Sequence, residues 1–407
     1  MELSIDRAMQ RRLEQARELG ATEVRPVGLE ADRLSRPIPV DHPYFQRCLQ
    51  RGEGRTRWTG PSSAPARPRE RASAPTVLAL LVAEELAYWD RGVGVANPGP
   101  NLPEMNVLGL GTEEQKERFL GPFLAPDRPR WASFAMTEPG AGSDAAAIRT
   151  TARKYDGEHG GHYVLDGAKC FIGNARRADW ILVQATLDPR AGRAAQRAFF
   201  VEQGTPGLGP FKIEKKMGLK AYESTSFSLA ECRVPAANLL GGEARYERRE
   251  GFKTAMRTFN AGRPVIAANA VGMGRAVLDE ALAFAREHDL LRGSLSDVRV
   301  RDRLEHMARK LSMARLLCLR AGWLADEQRP NLVEASQCKA IAAGVAQEAA
   351  SLGMELLGLV GARGDHLIEK LYRDVKAMDI VEGTGQIQRM IIARQLLGLP
   401  RDQASGD

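Results

Sequence analysis

Apolar positions along this chain change period twice. From Leu3 to Leu19 they recur at helical spacing among charges, and Gly20 predicts a C-terminal stop; Thr76 to Trp89, behind Pro75, predicts a strongly apolar helix. Asn101 with Glu104, and Thr112 with Gln115, have the spacing at which a helix's first side chain and the residue three later satisfy exposed N–H groups reciprocally. From about Trp131 to Pro235 the pattern shortens to β-prone runs (Tyr163-Val164-Leu165, Trp180-Ile181-Leu182-Val183, Ala198-Phe199-Phe200-Val201, Ser226-Phe227-Ser228-Leu229) with turn residues between them. Such spacing predicts a small antiparallel barrel or sandwich. Beyond Gly251 helical periodicity returns over Phe252 to Glu287, Ser296 to Glu327 and Asn331 to Gly358, where Asn331 and Glu334 repeat the capping spacing. Shorter helices are expected near Leu367 to Lys376 and Thr384 to Leu397, and the three long ones can pack as a bundle.

At 407 residues and 43% hydrophobic content the chain is expected to form two or three packed units. No apolar run reaches the length of a membrane span, and Met1 to Asp6 lacks the basic and apolar regions of a signal peptide, so the cytoplasm is the expected location. Cys48, Cys170, Cys232, Cys318 and Cys338 are odd in number and scattered, which argues for reduced core thiols over a disulfide framework or structural zinc. His159 and His162 flank a Gly-Gly turn with no third ligand nearby, so a hairpin is expected there and no metal site. Leu108 to Glu113 looks like a nucleotide-binding glycine loop but lacks the third Gly and a preceding strand.

The formal charge of +7 favours anionic partners, although most Lys and Arg residues alternate with Asp and Glu on helical faces. One segment, Arg51 to Arg71, carries Arg55, Arg57, Arg67 and Arg69 with several prolines and little balancing acid. Nucleic-acid binding would call for interleaved aromatics, and only Trp58 is present. An irregular loop is expected, with contact to a phosphorylated substrate or an acidic carrier protein as its functional option.

Candidate chemistry concentrates in Asp379-Ile380-Val381-Glu382-Gly383-Thr384-Gly385, just before the last helix. Glu382, flanked by a branched apolar residue and a glycine, is a candidate base: a water-poor pocket raises a carboxylate's pKa and strengthens it as a proton acceptor. The segment alone is weak, since an exposed loop Glu beside a helix start reads the same way. Other blocks accompany it in order: Met136-Thr137-Glu138-Pro139-Gly140-Ala141-Gly142-Ser143-Asp144, Gly167-Ala168-Lys169-Cys170-Phe171-Ile172-Gly173-Asn174-Ala175, Lys216-Met217-Gly218-Leu219, Val234 to Gly241, and Leu371-Tyr372-Arg373-Asp374. Together these blocks resemble an acyl-CoA dehydrogenase of the medium- or short-chain type, over roughly residues 76 to 400.

The resemblance implies an α+β fold: an N-terminal helical domain (1–129), a middle antiparallel β-barrel domain (130–236) and a C-terminal four-helix-bundle-like domain (237–407). It implies FAD held by Phe134, Met136, Thr137, Gly142, Ser143, Phe171, Ile172, Gly173, Thr384 and Gln386, with Phe171 and Ile172 walling the flavin ring. Ser143, Asn260, Arg263 and Gly383 are the implied substrate contacts, and Glu382 the implied base that takes the proton beside the thioester carbonyl while hydride leaves the next carbon. The implied product is a trans-2-enoyl thioester. An electron-transfer flavoprotein or similar acceptor, and a homodimer or homotetramer, follow from the same resemblance.

Departures from the family pattern are specific. Gly173 stands where a Ser or Thr hydroxyl usually touches the flavin. In the segment a neighbouring subunit contributes to FAD, His288, Leu291 and Arg299 replace an Arg, a Phe and a Gln, and Glu355, Leu356 and Gly358-Leu359 replace a pattern with Gln and Gly-Gly. Weaker FAD retention is expected, unless Arg292 and Arg299 supply phosphate contacts. Between about residues 20 and 75 the usual glycine-rich loop is missing, which leaves acyl length, and CoA versus carrier protein, open. An oxygen-using oxidase and a flavin-poor binding subunit remain as alternatives.

Overall fold

The computed structural model describes residues 5–60, 73–156, 161–247, 250–291 and 295–399, with backbone alone for 247, 250–261 and 295–297. His159, Arg292 and the stretch 61–72 of the Arg-rich segment lie outside this description, as does the side chain of Asn260.

Helices α1 (Arg7–Leu19), α2 (Arg25–Arg33), α3 (Pro43–Gln50), α4 (Pro75–Ala96), α5 (Glu104–Leu110) and α6 (Glu113–Leu120) come first. Seven strands follow: β1 (Ala132–Ala135), β2 (Thr151–Tyr155), β3 (His162–Gly173), β4 (Trp180–Thr186), β5 (Gln196–Glu202), β6 (Leu208–Ile213) and β7 (Ser224–Pro235). The remainder is helical: α7 (Glu243–Glu247), α8 (Glu250–Glu287), α9 (Leu295–Asp326), α10 (Leu332–Leu357), α11 (Leu359–Ala362), α12 (Leu367–Val375) and α13 (Gly385–Leu396). The α+β layout expected from sequence is therefore present.

The sheet is mixed, with order β1-β4-β2-β3-β7-β6 and β5 also on β4. Antiparallel pairs β2–β3, β3–β7, β4–β5 and β6–β7 meet the expectation, but β1 runs parallel to β4 from Ala132 opposite Trp180 to Ala135 opposite Val183. Period-two alternation marks strands without fixing their direction, which is why an all-antiparallel domain was the wrong expectation. One face of the sheet packs on α2, α3 and the end of α4 through Val27, Phe45, Val93 and Trp131. The three long helices form a separate core, in which α10 contributes Ala342, Ala343, Ala346 and Ala350 to α8's Ala267, Ala270, Val271 and Val277. Small side chains permit that close helix approach.

Thr112 and Gln115 form the reciprocal cap, each side chain meeting the other's backbone N–H at 3.2 Å. The other two capping expectations fail. Asn101, three residues before α5 begins, is left-handed and donates to the Gly99 carbonyl, and Asn331 donates to the Ala321 carbonyl. Asn has an amide that serves tertiary acceptors equally well. Gly20 does not stop α1; the chain continues helically into α2, and a Cβ at Gly20 would lie 1.8 Å from Trp89 Cδ1. Its role is close packing against α4.

All five cysteines are free and buried. His162 stacks on Tyr155 at 5.2 Å, consistent with a hairpin side chain. Within the described part of the Arg-rich segment, Arg51 pairs with Glu23 and Glu53, Arg57 lies 3.6 Å from Glu104, and Trp58 is buried. Among the described residues no helix is long and apolar enough to cross a membrane.

Candidate active site

The glycine-rich turn after β1 is held from beneath. Glu138 and Ala141 exchange backbone hydrogen bonds of 3.1 Å across Pro139-Gly140. The buried Glu138 carboxylate accepts from the Arg149 and Thr150 N–H groups and pairs with Lys169 of β3 at 2.7 Å. Lys169 also donates to the Met136 carbonyl, and burial brings its ammonium down to about 8. With its polar groups satisfied below, the turn's upper side is free. Gly142 and Ser143 are exposed, Thr137 is half-buried, and a Cβ at Gly140 or Gly142 would meet nothing within 4 Å.

β3 carries the second part of the site. Its pairing with β7 slips between Lys169 and Ile172, and at that bulge Phe171 adopts φ +59° and leaves its ring 69% exposed. A large aromatic held outward in a left-handed conformation costs on the order of 1 kcal/mol or more of backbone strain, which marks a surface meant to be covered. Ile172 behaves differently: its side chain is buried in the β-domain core, so Phe171 alone can wall a flavin with its side chain. Phe134 and Met136 are half-buried alongside, and a Cβ at Gly173 would come no nearer than 3.9 Å, to the Tyr222 ring.

The third part is a break in α4 that the sequence does not announce. Asp90 has φ −165° and ψ 111° inside the helix, and its Oδ1 accepts from the Val93 N–H at 2.9 Å, so it caps a fresh helical segment. Its Oδ2 pairs at 2.6 Å with the buried Lys370 of α12, which also binds Asp374. Asp374 Oδ1 in turn accepts from the Leu219 N–H. At Gly218 an added Cβ would lie 2.5 Å from the Arg373 carbonyl carbon, which accounts for the glycine in Lys216-Met217-Gly218-Leu219. Arg373 binds Asp32 and Glu369. These two sequence blocks are therefore the joint between α4, the β6–β7 connection and α12. The break throws Arg91 inward, with Nη1 beside Gly94, one residue before the Val95 carbonyl that accepts from Asn174 at 2.8 Å.

Glu382 stands at φ +55°, followed by Gly383 at φ +92°. Thr384 caps α13 by accepting from the Ile387 N–H, Gln388 donates to the Gly383 carbonyl, and Gln386 is exposed. The Glu382 backbone remains partly accessible while Oε2 is shut off from solvent and has no hydrogen-bond partner. A Cβ at residue 262 would lie 2.2 Å from that oxygen, so Gly262 of α8 is what gives the carboxylate its place. Burial raises the Glu382 carboxyl above the ordinary range, against the pull of Arg91, Lys339 and Arg263. Lys339, fully buried on α10, is brought down to about 8 by burial, with Asp379 and Glu382 acting in the opposite sense. Arg263 is buried beside Glu382, where the sequence suggested a phosphate contact. Phe171, Asn174, Leu219 and Glu382 are all left-handed non-glycine residues. Sequence reasoning missed Arg91, Gly262, Tyr222 and Lys339, whose only signal is their arrangement in space.

His288, Leu291, Arg299, Glu355, Leu356 and Gly358 lie elsewhere, where the end of α8, the start of α9 and the end of α10 meet. Glu355 is about 24 Å along α10 from Lys339 at 1.5 Å per residue, too far for these residues to share a ring with Glu382 of the same chain. Glu355 is paired with Arg303, and His288 stacks on Phe284.

An elongated cofactor with a flat ring fits the exposed Phe171 face, the open glycine turn and the space left by Gly173. The chain matches the acyl-CoA dehydrogenase middle domain over residues 133–232 and the acyl-CoA dehydrogenase C-terminal domain over 249–397. It is 38% identical over 325 residues to probable acyl-CoA dehydrogenase YngJ of Bacillus subtilis, covering 79% of this chain and 83% of that one. It is 36% identical over 292 residues to acryloyl-CoA reductase (NADH) of Anaerotignum propionicum, 72% of each chain. Butyryl-CoA dehydrogenase from Megasphaera elsdenii superposes with a TM-score of 0.82 at 29% identity, over 98% of this chain and 100% of that one. Middle and C-terminal domain matches that together span most of residues 133–397, and a relative 38% identical over 83% of its length, lead to one assignment: the chain belongs to the acyl-CoA dehydrogenase family of FAD-dependent oxidoreductases.

Proposed function

We propose that the protein oxidises an acyl thioester to its trans-2-enoyl form with Glu382 as the proton acceptor. The observation that carries this reading is the Glu382 carboxylate itself: desolvated, unpartnered at Oε2, and given room only by Gly262. FAD, when bound, supplies the two-electron acceptor. Phe171 presents a ring face to it, while Thr137, Ser143 and the open glycine turn offer hydroxyl and N–H donors. Glu382 takes the proton from the carbon beside the thioester carbonyl, and its own backbone N–H polarises that carbonyl. Arg263 and Gly383 adjoin Glu382, and Asn260 is the further substrate contact of this reading. Anaerobic bleaching of the purified flavoprotein against a panel of acyl-CoAs is the direct test; no bleaching by any saturated acyl-CoA refutes dehydrogenation, and turnover in air without an added acceptor would favour an oxidase.

The acid limb of that reaction carries a sign. Glu382 works ionised, and burial raises its pKa in spite of Arg91, Lys339 and Arg263, so bleaching should fail on acidification at a pH above the ordinary 4.5 of a glutamate. A limb at or below 4.5 would mean a base that is not desolvated.

A second expectation concerns cofactor retention. The distance between Glu382 and the His288 to Gly358 group supports contact with a partner subunit's FAD. Exposed Leu359, Leu396 and Leu397 offer apolar surface for self-association. At His288 an imidazole with at most two N–H donors replaces an Arg fork, and at Leu291 an aromatic face is lost. Arg303 offsets the negative charge of Glu355, so the deficit rests on the first two positions. Gel filtration at graded dilution should show flavin absorbance separating from protein, and added FAD should restore it. Stoichiometric flavin through dilution would show that the substituted residues retain the contacts.

A further inference from the structure

Arg91 is an arginine turned toward the interior that has nothing to bind. Its Nε is closed to solvent without an acceptor, and it makes no hydrogen bond or ion pair with any described residue. Comparable arginines in this fold are answered: Arg177 by Glu223 at 3.0 Å, Arg275 by Glu84 at 2.6 Å, Arg373 by Asp32 at 2.6 Å. A guanidinium remains charged at any physiological pH, and an inward charge without a partner is costly unless a ligand supplies one.

The fold puts effort into this placement. Asp90 breaks α4, the break turns Arg91 away from the helix surface, and Asp90 is itself fastened to Lys370. The neighbouring Gly92 would bring a Cβ to 3.3 Å from the Leu219 carbonyl carbon and from Ala221, so this stretch is pressed against the loop leading to Tyr222. Tyr222 borders Gly173, and Asn174 ties β3 to Val95. Arg91 therefore lies in a stretch packed against the loop that leads to Tyr222 and tied to the end of β3, and the charges it feels are those of Glu382 and Tyr222. Glu382 feels Arg91 first among its neighbouring charges, and Lys339 is shared between Glu382 and Asp379.

We infer that the acyl portion of the substrate carries a carboxylate, and that Arg91 is the residue that selects it by offering its N–H fork in the cleft between Phe171 and Glu382. This rests on the reading of Glu382 as base, since the base marks where the reacting carbons lie; an anion reaching Arg91 then belongs to the acyl chain. A surface arginine would suit the distant phosphates instead. The guanidinium gives a planar bidentate match to a carboxylate that Lys lacks.

The test compares glutaryl-CoA with pentanoyl-CoA, matched in chain length, on FAD-loaded wild-type, Arg91→Gln and Arg91→Lys proteins. Wild type should favour glutaryl-CoA by at least ~10-fold in kcat/KM, Arg91→Gln should lose ~100-fold more on glutaryl-CoA than on pentanoyl-CoA, any loss common to both reflecting its pull on Glu382, and Arg91→Lys should fall between. Calorimetric binding of both thioesters to the FAD-loaded Glu382→Gln protein, with and without Arg91→Gln, reads the same preference without turnover. If no thioester is oxidised but glutaryl-CoA binds tighter in an Arg91-dependent way, the dehydrogenase reading falls and the inference on Arg91 stands. A wild-type preference for pentanoyl-CoA, or an Arg91→Gln loss equal on both substrates, overturns the inference. So does an acid limb that moves while the substrate ratio stays, which would assign Arg91 to Glu382 alone.

Discussion

Glu382→Gln is expected to cut substrate-driven flavin reduction by about 10⁴-fold, the upper range for loss of a positioned general base. The amide keeps the shape that Gly262 accommodates and loses the proton acceptor, so FAD content and thioester binding should change little. Stability should not fall. A carboxyl whose pKa is raised by folding favours its neutral form in the native state, and the ionised form opposes folding once pH exceeds the unfolded value of 4.5. Removing the charge therefore leaves the melting temperature unchanged or raised at pH 7. The companion Gly262→Ala probes position instead of chemistry: its methyl would meet Oε2 at 2.2 Å, and since the end of a flexible side chain can swing away, folding should survive while the rate drops. Normal bleaching by Glu382→Gln would move the base to another residue.

The second large effect belongs to stability. Lys370→Met removes the cation paired directly with both Asp90 and Asp374, each nearly free of solvent contact, and leaves two carboxylates buried together with the charge of Arg25 acting on both. Breaking a buried pair in this way costs about 3–5 kcal/mol, enough to shift a urea midpoint substantially. The pH sign is distinctive. Burial already raises the Asp374 carboxyl, and without Lys370 it would rise further, so the loss is full above that raised native value, shrinks as pH falls through it and is gone below the unfolded value of 3.8. A variant that melts like the wild type at pH 7 would show that water reaches the joint.

Much of this architecture is legible in the chain. Strand runs between Trp131 and Pro235, the three long helices, the Thr112 cap, Glu382 and the glycine turn all declare themselves through short-range pattern, because period, cap spacing and turn residues are local physics. Tertiary choices are not local. Strand direction at β1 and the tight fit of Gly20 on Trp89 are settled by partners tens of residues away, and the amides of Asn101 and Asn331 by carbonyls two and ten residues back that only the folded path presents. The same holds in the site. Glu382 is recognisable from its neighbours, whereas Gly262 reads as an ordinary helix residue until a carboxylate from 120 positions later is found against it. Tyr88-Trp89-Asp90-Arg91 reads as the polar end of an apolar helix, with no proline to reveal the break. Ile172 shows the reverse case, a position named by motif resemblance whose side chain the bulge at Phe171 sends into the core, leaving its backbone for the site.

Asp90 and Arg91 adjoin in sequence but differ in what they allow. Asp90 uses both carboxylate oxygens, one on the Val93 N–H and one on Lys370. Asparagine there would keep the cap and abandon the ion pair, and glutamate would need room that Gly28, whose Cβ would stand 2.0 Å from Asp90 Oδ2, shows to be lacking. Position 90 is thus fixed by the scaffold. Position 91 has no such bond to break, so a library confined to that one codon can vary the lining of the cleft on an unchanged frame.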